Sequence, residues 1–160
     1  MILKPEPLTK PAFAPFGDVI ETEAASHFTI NQGYAERFAD LAMIDTLLEH
    51  GSTAIGIVEA IPRPEPITVK LMERHPLGSQ IFYPLQVRDW IVLVCADVHD
   101  FATYRAFRAT GRQGVNYARN TWHHPLLVRD PQSRFLVIDR KGPGENLEEV
   151  EVRGELSLTP

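Results

Sequence analysis

The segment Q-I-F-Y-P-L-Q-V-R-D-W-I-V-L-V-C-A at residues 80–96 decides the fold, because it joins two strand-forming runs through a polar turn. Both runs are rich in Ile, Val, Leu and aromatic residues, which favour strands. Similar runs fill most of the chain after Gly51, and Gly, Pro, Asp or Asn separates most of them. The predicted strands are residues 54–60, 67–73, 80–84, 90–96, 105–109, 126–129, 135–139 and 149–158.

Many short strands without alternating helices argue against a parallel sheet and predict a mainly all-β protein, an antiparallel barrel or sandwich. A barrel of this size has room inside for one small ligand. A strand is also expected over residues 18–21. Two helices are predicted: residues 10–13, capped by Thr9, and a second helix within residues 35–50. The second rests on the helical spacing of Phe38, Leu41, Ile44 and Leu48.

The composition excludes several classes of protein. A chain of 160 residues fits a single domain over residues 1–160. Its net charge of −5 argues against nucleic acid as a partner, and no apolar stretch is long enough to predict a membrane span. Residues 1–7 lack the layout of a signal peptide, and the single cysteine, Cys95, suits a reducing compartment. We therefore expect a cytoplasmic protein.

Two histidine-bearing segments form the candidate functional site. They read M-E-R-H-P-L-G-S-Q-I-F-Y-P-L at residues 72–85 and G-V-N-Y-A-R-N-T-W-H-H-P-L at residues 114–126. Each combines ionisable or amide side chains with Pro, Gly or Trp, as small-molecule sites do. We expect the two segments to meet in one mouth of the barrel.

Strand alternation assigns directions within these segments. Glu73 and His75 should share a face and Arg74 should point the opposite way. The spacing between His75 and Gln80 suggests a hairpin-like return that brings Gln80 beside His75. In the second segment, the side chains of Trp122 and His124 should point the same way, because they are two residues apart on a strand. His123 should therefore occupy a different environment from Trp122.

These segments, with F-G-D-V-I at residues 16–20 and I-N-Q-G at residues 30–33, resemble the ureidoglycolate lyase family, called ureidoglycolate hydrolase in older usage. The family pattern includes E-R-H-P-x-G-x-Q-x-F-x-P and G-V-N-Y…W-H-x-P-L, and the resemblance runs over about residues 16–139. It implies a cupin-like β-barrel, a homodimer, and cleavage of (S)-ureidoglycolate to glyoxylate and urea in allantoin catabolism, a part of purine and nitrogen metabolism.

The resemblance also bears on a metal. The usual cupin ligand pattern, H-x-H-x-x-x-x-E followed by a later histidine, falls on Glu73, His75, Gln80 and His123. Glutamic acid thus replaces one histidine, and glutamine, a weak neutral ligand, replaces the usual glutamate. We therefore expect no firmly bound metal. The resemblance implies at most a weakly held divalent ion such as nickel, for which imidazole and carboxylate are suitable ligands.

The chemistry implied by the resemblance needs a general base, hydrogen bonds to the urea portion and a cation for the carboxylate. Histidine suits the base, side-chain amides suit urea, and arginine suits a carboxylate. The candidate catalytic residues are His75, His123 and Glu73, and the candidate substrate-binding residues are Gln80, Asn116, Arg119, Asn31 and Arg74.

Two alternatives stay open at this stage. The first is hydrolysis of ureidoglycolate with release of ammonia and carbon dioxide. The second is a non-catalytic barrel that binds a small carboxylate, although a binder has little need of two histidines. Each candidate side chain also has a structural alternative, such as a surface ion pair for Glu73 or Arg74 and turn hydrogen bonds for Gln80 or Asn116.

Overall fold

The computed structural model describes residues 1–159, and its regular elements are mostly short strands. The only α-helix in this range is α1 (Lys10–Phe13), and single 3-10 turns occupy Asn31–Gly33, Leu48–His50 and Phe101–Thr103. The strands are β1 (Ile2–Leu3), β2 (Glu6–Pro7), β3 (Gly17–Ile20), β4 (His27–Ile30), β5 (Ala35–Phe38), β6 (Ser52–Ala60), β7 (Ile67–Thr68), β8 (Leu71–Arg74), β9 (Gln80–Pro84), β10 (Trp90–Cys95), β11 (Arg105–Ala109), β12 (Gly114–Tyr117), β13 (Trp122–His123), β14 (Leu127–Val128), β15 (Ser133–Lys141), β16 (Glu148–Glu151) and β17 (Ser157–Leu158).

The strands form three sheets and one separate hairpin. The order is β1-β17-β7 in the first sheet, β16-β8-β13-β10-β11-β2 in the second, with β14 also on β10, and β3-β12-β9-β15-β6 in the third. Among the described residues, strands β4 and β5 pair only with each other. The all-β prediction is confirmed. Within residues 1–159 the ladders do not join into one closed ring, so the predicted barrel is replaced by open sheets that face one another.

Strand β10 lies at the centre of this arrangement, because all of its six side chains are buried. Side chains alternate along a strand, so β10 contributes to a different core on each face. One core includes residues of the five-stranded sheet, and the other includes residues of the three-stranded sheet. The two sets of β10 residues are Trp90, Val92 and Val94 on the first side and Ile91, Leu93 and Cys95 on the second.

The short helix predicted at residues 10–13 is confirmed, including its cap. The hydroxyl of Thr9 accepts a hydrogen bond from the backbone N–H of Ala12. The described residues contain no helix long and apolar enough to cross a membrane.

The helix predicted within residues 35–50 is wrong. Residues 35–38 form β5, whose backbone pairs with β4, and Phe38 packs against His27 with ring centroids 5.2 Å apart. The chain then turns repeatedly through positive φ, as at Asp40 and Glu49. Ile44 and Leu48, two of the four residues whose spacing predicted a helix, are exposed, so that spacing has no surface to pack against among the described residues.

The hairpin-like return between His75 and Gln80 is also wrong. Strand β8 belongs to the seven-stranded sheet and β9 to the five-stranded sheet, so the turn between them carries the chain from one sheet to the other. Most other predicted strands are present with shifted ends, although residues 67–73 and 149–158 each divide into two strands. Strands β12 and β13, within the second histidine segment, were not predicted.

Gly17 provides a test of the packing between β3 and β12. Its φ is +143°, and an added Cβ would lie 1.9 Å from the carbonyl oxygen of Asn116. We expect Gly17→Ala to lower the free energy of unfolding by about 1–3 kcal/mol, the usual cost of one strained backbone site. Denaturant titration measures this loss. Gly56→Ala is the matched control, because no atom lies within 4 Å of its added Cβ, and an equal effect of both substitutions would contradict the explanation.

Candidate active site

Backbone pairing brings the two histidine segments together. Strand β13 lies between β8 and β10, and His123 pairs with Glu73 on one side and with Val94 on the other. Directly paired residues share a face of the sheet. Because Val94 faces the core that includes the five-stranded sheet, Glu73 and His123 face the same way. The candidate site therefore lies between the two large sheets.

Glu73, His75 and His123 form one compact cluster. The rings of His75 and His123 have centroids 5.3 Å apart, and Nε2 of His123 lies 3.4 Å from Oε1 of Glu73. One ligand atom from each of the three residues lies within 4.8 Å of the others. His123 is buried, whereas Glu73 and His75 are half-buried. The expectation that the two segments meet is confirmed.

Both histidines are tethered through the same ring nitrogen. Nδ1 of His75 bonds the carbonyl oxygen of Asn146 at 2.7 Å, and Nδ1 of His123 bonds that of Thr121 at 2.9 Å. A carbonyl only accepts hydrogen bonds, so each Nδ1 carries the proton. Within residues 1–159, Nε2 of both rings is buried without a hydrogen-bond partner, and the 3.4 Å contact between Nε2 of His123 and Glu73 is an ion pair only when the ring is protonated. The two Nε2 atoms are thus free to act on a bound molecule.

The histidines also determine the charge of Glu73. Burial raises the pKa of this carboxyl, but nearby His123, His75 and His124 outweigh burial, so its pKa lies below the usual value. Glu73 is therefore ionised near neutral pH. Its negative charge favours protonation of the neighbouring histidines or binding of a cation at the cluster.

The facing sheet completes the site with Tyr117 and Gln80. These residues pair directly on β12 and β9, so their side chains share the inner face of the five-stranded sheet. The ring of Tyr117 stacks on that of His123 at 4.1 Å with an angle of 11° between the planes. Burial and the charge of Glu73 raise the pKa of Tyr117, so its hydroxyl stays protonated. Gln80 is 9% exposed, and its Oε1 has no partner.

Asn116 lies on the opposite face of β12 from Tyr117, because the two are adjacent on a strand. Its Nδ2 donates to Asp18 Oδ2 and to the carbonyl oxygen of Met43, both at 2.9 Å, while its buried Oδ1 has no partner. The structure thus separates Asn116 from the inner face that carries Gln80.

The remaining substrate-binding candidates also lie outside the cluster. Arg74 points away from Glu73 along β8, bonds Glu148 at 2.6 Å and lies over the ring of Trp122 at 4.4 Å. Asn31 is exposed in the turn of the β4–β5 hairpin and has a φ of 52°.

Arg119 is exposed and keeps only a long contact of 3.5 Å with Asp45. It borders a cleft of about 350 Å³ that is also lined by Phe16, Thr121 and Trp122. His124 is buried, with Nδ1 bonded to the carbonyl oxygen of Pro125, and its burial lowers its pKa to about 4. It is therefore neutral near pH 7.

Sequence reasoning missed two residues that shape this cluster. Tyr117 stands inside the G-V-N-Y motif, and its position six residues before His123 gave no sign that the two rings stack. Asn146 is 71 residues from His75 in a glycine-containing loop, K-G-P-G-E-N, which carries no recognisable signal of a role at the site.

Comparison with known proteins supports the resemblance noted in the motifs. The sequence profile of the ureidoglycolate lyase family matches residues 1–159. The chain is 53% identical over 149 residues to ureidoglycolate lyase 1 of Rhizobium meliloti (strain 1021), covering 92% of this chain and 88% of that protein. It is 50% identical over 151 residues to the ureidoglycolate lyase of Burkholderia cepacia, covering 93% and 85% of the two chains. For that of Pseudomonas syringae pv. tomato (strain ATCC BAA-871 / DC3000) the values are 49% over 146 residues, covering 90% and 86%.

Proposed function

Because this chain belongs to the ureidoglycolate lyase family, we propose that it cleaves (S)-ureidoglycolate to glyoxylate and urea, as a carbon–nitrogen (amidine-type) lyase. The main structural support is one observation: Glu73, His75 and His123 each bring one possible ligand atom within 4.8 Å of the others, and Nε2 of both histidines is buried without a hydrogen-bond partner among the described residues. We place the reaction in allantoin degradation, within purine and nitrogen metabolism.

The reaction requires proton transfers but no external nucleophile. Ureidoglycolate has one carbon that carries a hydroxyl, a carboxylate and the ureido nitrogen. Loss of the hydroxyl proton forms the aldehyde of glyoxylate as the carbon–nitrogen bond breaks. The bonding pair goes to the nitrogen, which takes up a proton and leaves as urea. One base and one acid on opposite sides of this bond are sufficient.

The two histidines have the chemistry for both roles. A neutral imidazole protonated at Nδ1 offers Nε2 as a base, and its protonated form offers the same atom as an acid. One of His75 and His123 removes the hydroxyl proton, and the other is available to protonate the departing nitrogen. Ionised Glu73 stabilises the imidazolium formed when His123 takes up a proton, because their closest atoms are 3.4 Å apart.

Other residues bind the substrate. The unpartnered Oε1 of Gln80 accepts a hydrogen bond from a urea N–H. Arg119 binds the substrate carboxylate, since its contact with Asp45 is long and Arg74 is already paired with Glu148. Asn116, which faces away from Gln80 and bonds Asp18 and Met43, and the exposed Asn31 are weaker candidates.

A divalent ion has a suitable site in the same cluster. Two imidazole nitrogens and a carboxylate oxygen within 4.8 Å fit an ion such as nickel, and Gln80 can add a neutral oxygen. Such an ion would polarise the substrate hydroxyl as a Lewis acid. We propose, in keeping with the departure from the cupin ligand pattern, that the ion is weakly held and not essential.

We also propose a homodimer, supported by the outer face of the five-stranded sheet. Strand β6 is the edge of this sheet in the described chain, and Ile55 and Ile57 are 74% and 50% exposed. Their cross-strand partners are Ile138 and Leu136, which widens the apolar surface. A long edge strand with exposed isoleucines favours association, and its one charged residue, Glu59, is paired with Arg134 at the far end of the strand. A cytoplasmic location, which suits the single cysteine, is part of the same proposal.

The product assay tests the proposed reaction directly. The purified protein should release one urea for each glyoxylate, as measured by a urease-coupled assay run with and without urease. His75→Asn and His123→Asn should each lower turnover by about 10²–10⁴-fold, the usual worth of general acid–base catalysis.

One control variant and the results that would favour the alternatives accompany this assay. His99→Asn alters an exposed histidine outside the cluster and should leave turnover unchanged. Ammonia released without urease would favour the hydrolase alternative, and binding without any product would favour a carboxylate-binding protein. Near-normal turnover in both cluster variants, with the fold intact, would contradict the assignment of the histidines.

Chelation tests the proposal on the metal. After exhaustive dialysis against a chelator, with metal removal checked by elemental analysis, the protein should retain substantial urea-forming activity, because the histidines transfer protons without an ion. Complete loss of activity that one added ion per chain restores would show instead that Glu73, His75 and His123 form an essential metal site.

Ultracentrifugation tests the dimer. The wild-type chain should sediment as a dimer at micromolar concentration, and the double substitution of Ile55→Glu with Ile57→Glu should yield monomers, because it buries two charges against an apolar face. Val87→Glu is the control, since Val87 is 86% exposed in the turn between β9 and β10. A monomeric wild-type chain would refute the proposal.

A further inference from the structure

We propose that Asn146 is a positioning residue that fixes both the place and the tautomer of His75. Asn146 belongs to neither histidine segment and lies in the loop between β15 and β16. Its effect on turnover rests on the function proposed above, whereas its effect on the tautomer of His75 does not.

Asn146 contacts the first histidine segment twice. Its carbonyl oxygen accepts the Nδ1–H of His75 at 2.7 Å, and its side-chain Oδ1 accepts the backbone N–H of Leu77 at 2.8 Å. The second bond ties the Asn146 side chain to the turn that follows His75. The two bonds together fix the position of the Asn146 carbonyl relative to the His75 ring. A substitution of the Asn146 side chain therefore alters the bond that its backbone carbonyl makes to His75.

The surroundings hold Asn146 in place. Arg140 is buried, and its Nη2 donates to the carbonyl oxygen of Pro143 at 2.7 Å, near the start of the same loop. On the other side, the carbonyl oxygen of His75 accepts the backbone N–H of Asn120 at 3.0 Å. The ring of His75 thus has fixed supports on its backbone and on Nδ1, and only Nε2 is without a partner.

The tautomer is the functional consequence. A neutral histidine with no hydrogen-bond acceptor beside Nδ1 is free to carry its proton on Nε2. In that tautomer Nε2 has no lone pair to offer. A carbonyl acceptor at Nδ1 removes this form and leaves Nε2 as the base or ligand atom, as outer partners of functional histidines do. Asn146 supplies this acceptor and, through Leu77, maintains its position.

Nuclear magnetic resonance of the ¹⁵N-labelled full chain reads the tautomer directly. In the wild type, neutral His75 should be protonated at Nδ1 and bare at Nε2. Asn146→Leu keeps the side-chain size but removes Oδ1, so it should add the other tautomer and lower kcat about 10- to 100-fold, with a smaller effect on KM. Asn146→Asp keeps an acceptor oxygen for the backbone N–H of Leu77, so its His75 tautomer and its kcat should both be closer to those of the wild type than are those of Asn146→Leu.

Two further variants separate positioning from general damage. Glu145→Ala changes the exposed neighbour in the same loop and should leave both readouts unchanged. In a His75→Gln background, Asn146→Leu should add no further loss, because it acts through His75.

Several results would overturn the proposal. They are a wild-type His75 protonated at Nε2, a Leu variant with unchanged tautomer or unchanged turnover, a failure of Asp to rescue, and additive losses in the double variant. If Asn146→Leu does not fold, the wild-type spectrum still tests the tautomer, because a neutral His75 protonated at Nε2 would overturn the proposal. If the protein forms no urea, the tautomer comparison still stands, so failure of the proposed reaction is distinguishable.

Discussion

The burial of β10 on both faces is the constraint on which the rest of the structure depends. A strand with one solvated face needs one packing partner, but β10 contributes apolar residues to two separate cores. Sheets must therefore cover both of its sides, and its edges must be occupied by strands that continue its own sheet. Strand β13 is one of these, and its pairing with β10 sets the face and depth of His123. The site is thus built on the most buried part of the fold, where side-chain positions are precise.

The site accepts a cost in stability that a purely structural cluster would avoid. A buried polar atom without a partner costs about 1–3 kcal/mol. Three such atoms are Nε2 of His75, Nε2 of His123 and Oε1 of Gln80. His123 and Gln80 lie on strands of the two facing sheets and His75 directly follows β8, and a ligand with hydroxyl and amide groups would satisfy all three atoms. The unpartnered Oδ1 of Asn116 is different, because it lies on the other face of the five-stranded sheet, outside the site.

Much of this was predictable from local sequence, and the failures have physical reasons. Gln80–Pro84 and Arg105–Ala109 have the predicted bounds, because short runs that contain apolar and aromatic residues between turn-forming segments indicate strands. Strand β13 was missed because it has two residues and exists only through pairing with its neighbours. The family resemblance grouped Glu73, His75 and His123, but it could not show that Asn116 faces away from Gln80, since this depends on the register between β12 and β9. The helix predicted within residues 35–50 failed because apolar spacing describes a face without saying whether a partner surface exists.

The two histidines illustrate how a rigid site can be made from short segments. Each ring is bound by a backbone carbonyl at Nδ1, one from two residues earlier in the chain and one from a distant loop. Backbone acceptors have no charge and do not titrate, so they fix a tautomer without adding a charge of their own at Nδ1. The negative charge of the cluster is left to Glu73, whose pKa is lowered by the same histidines despite its burial. The backbone carbonyls therefore orient the two rings, and Glu73 supplies the charge beside them. The cluster keeps two geometrically fixed imidazoles beside one ionised carboxylate, and this combination is what a paired proton transfer across a carbon–nitrogen bond requires.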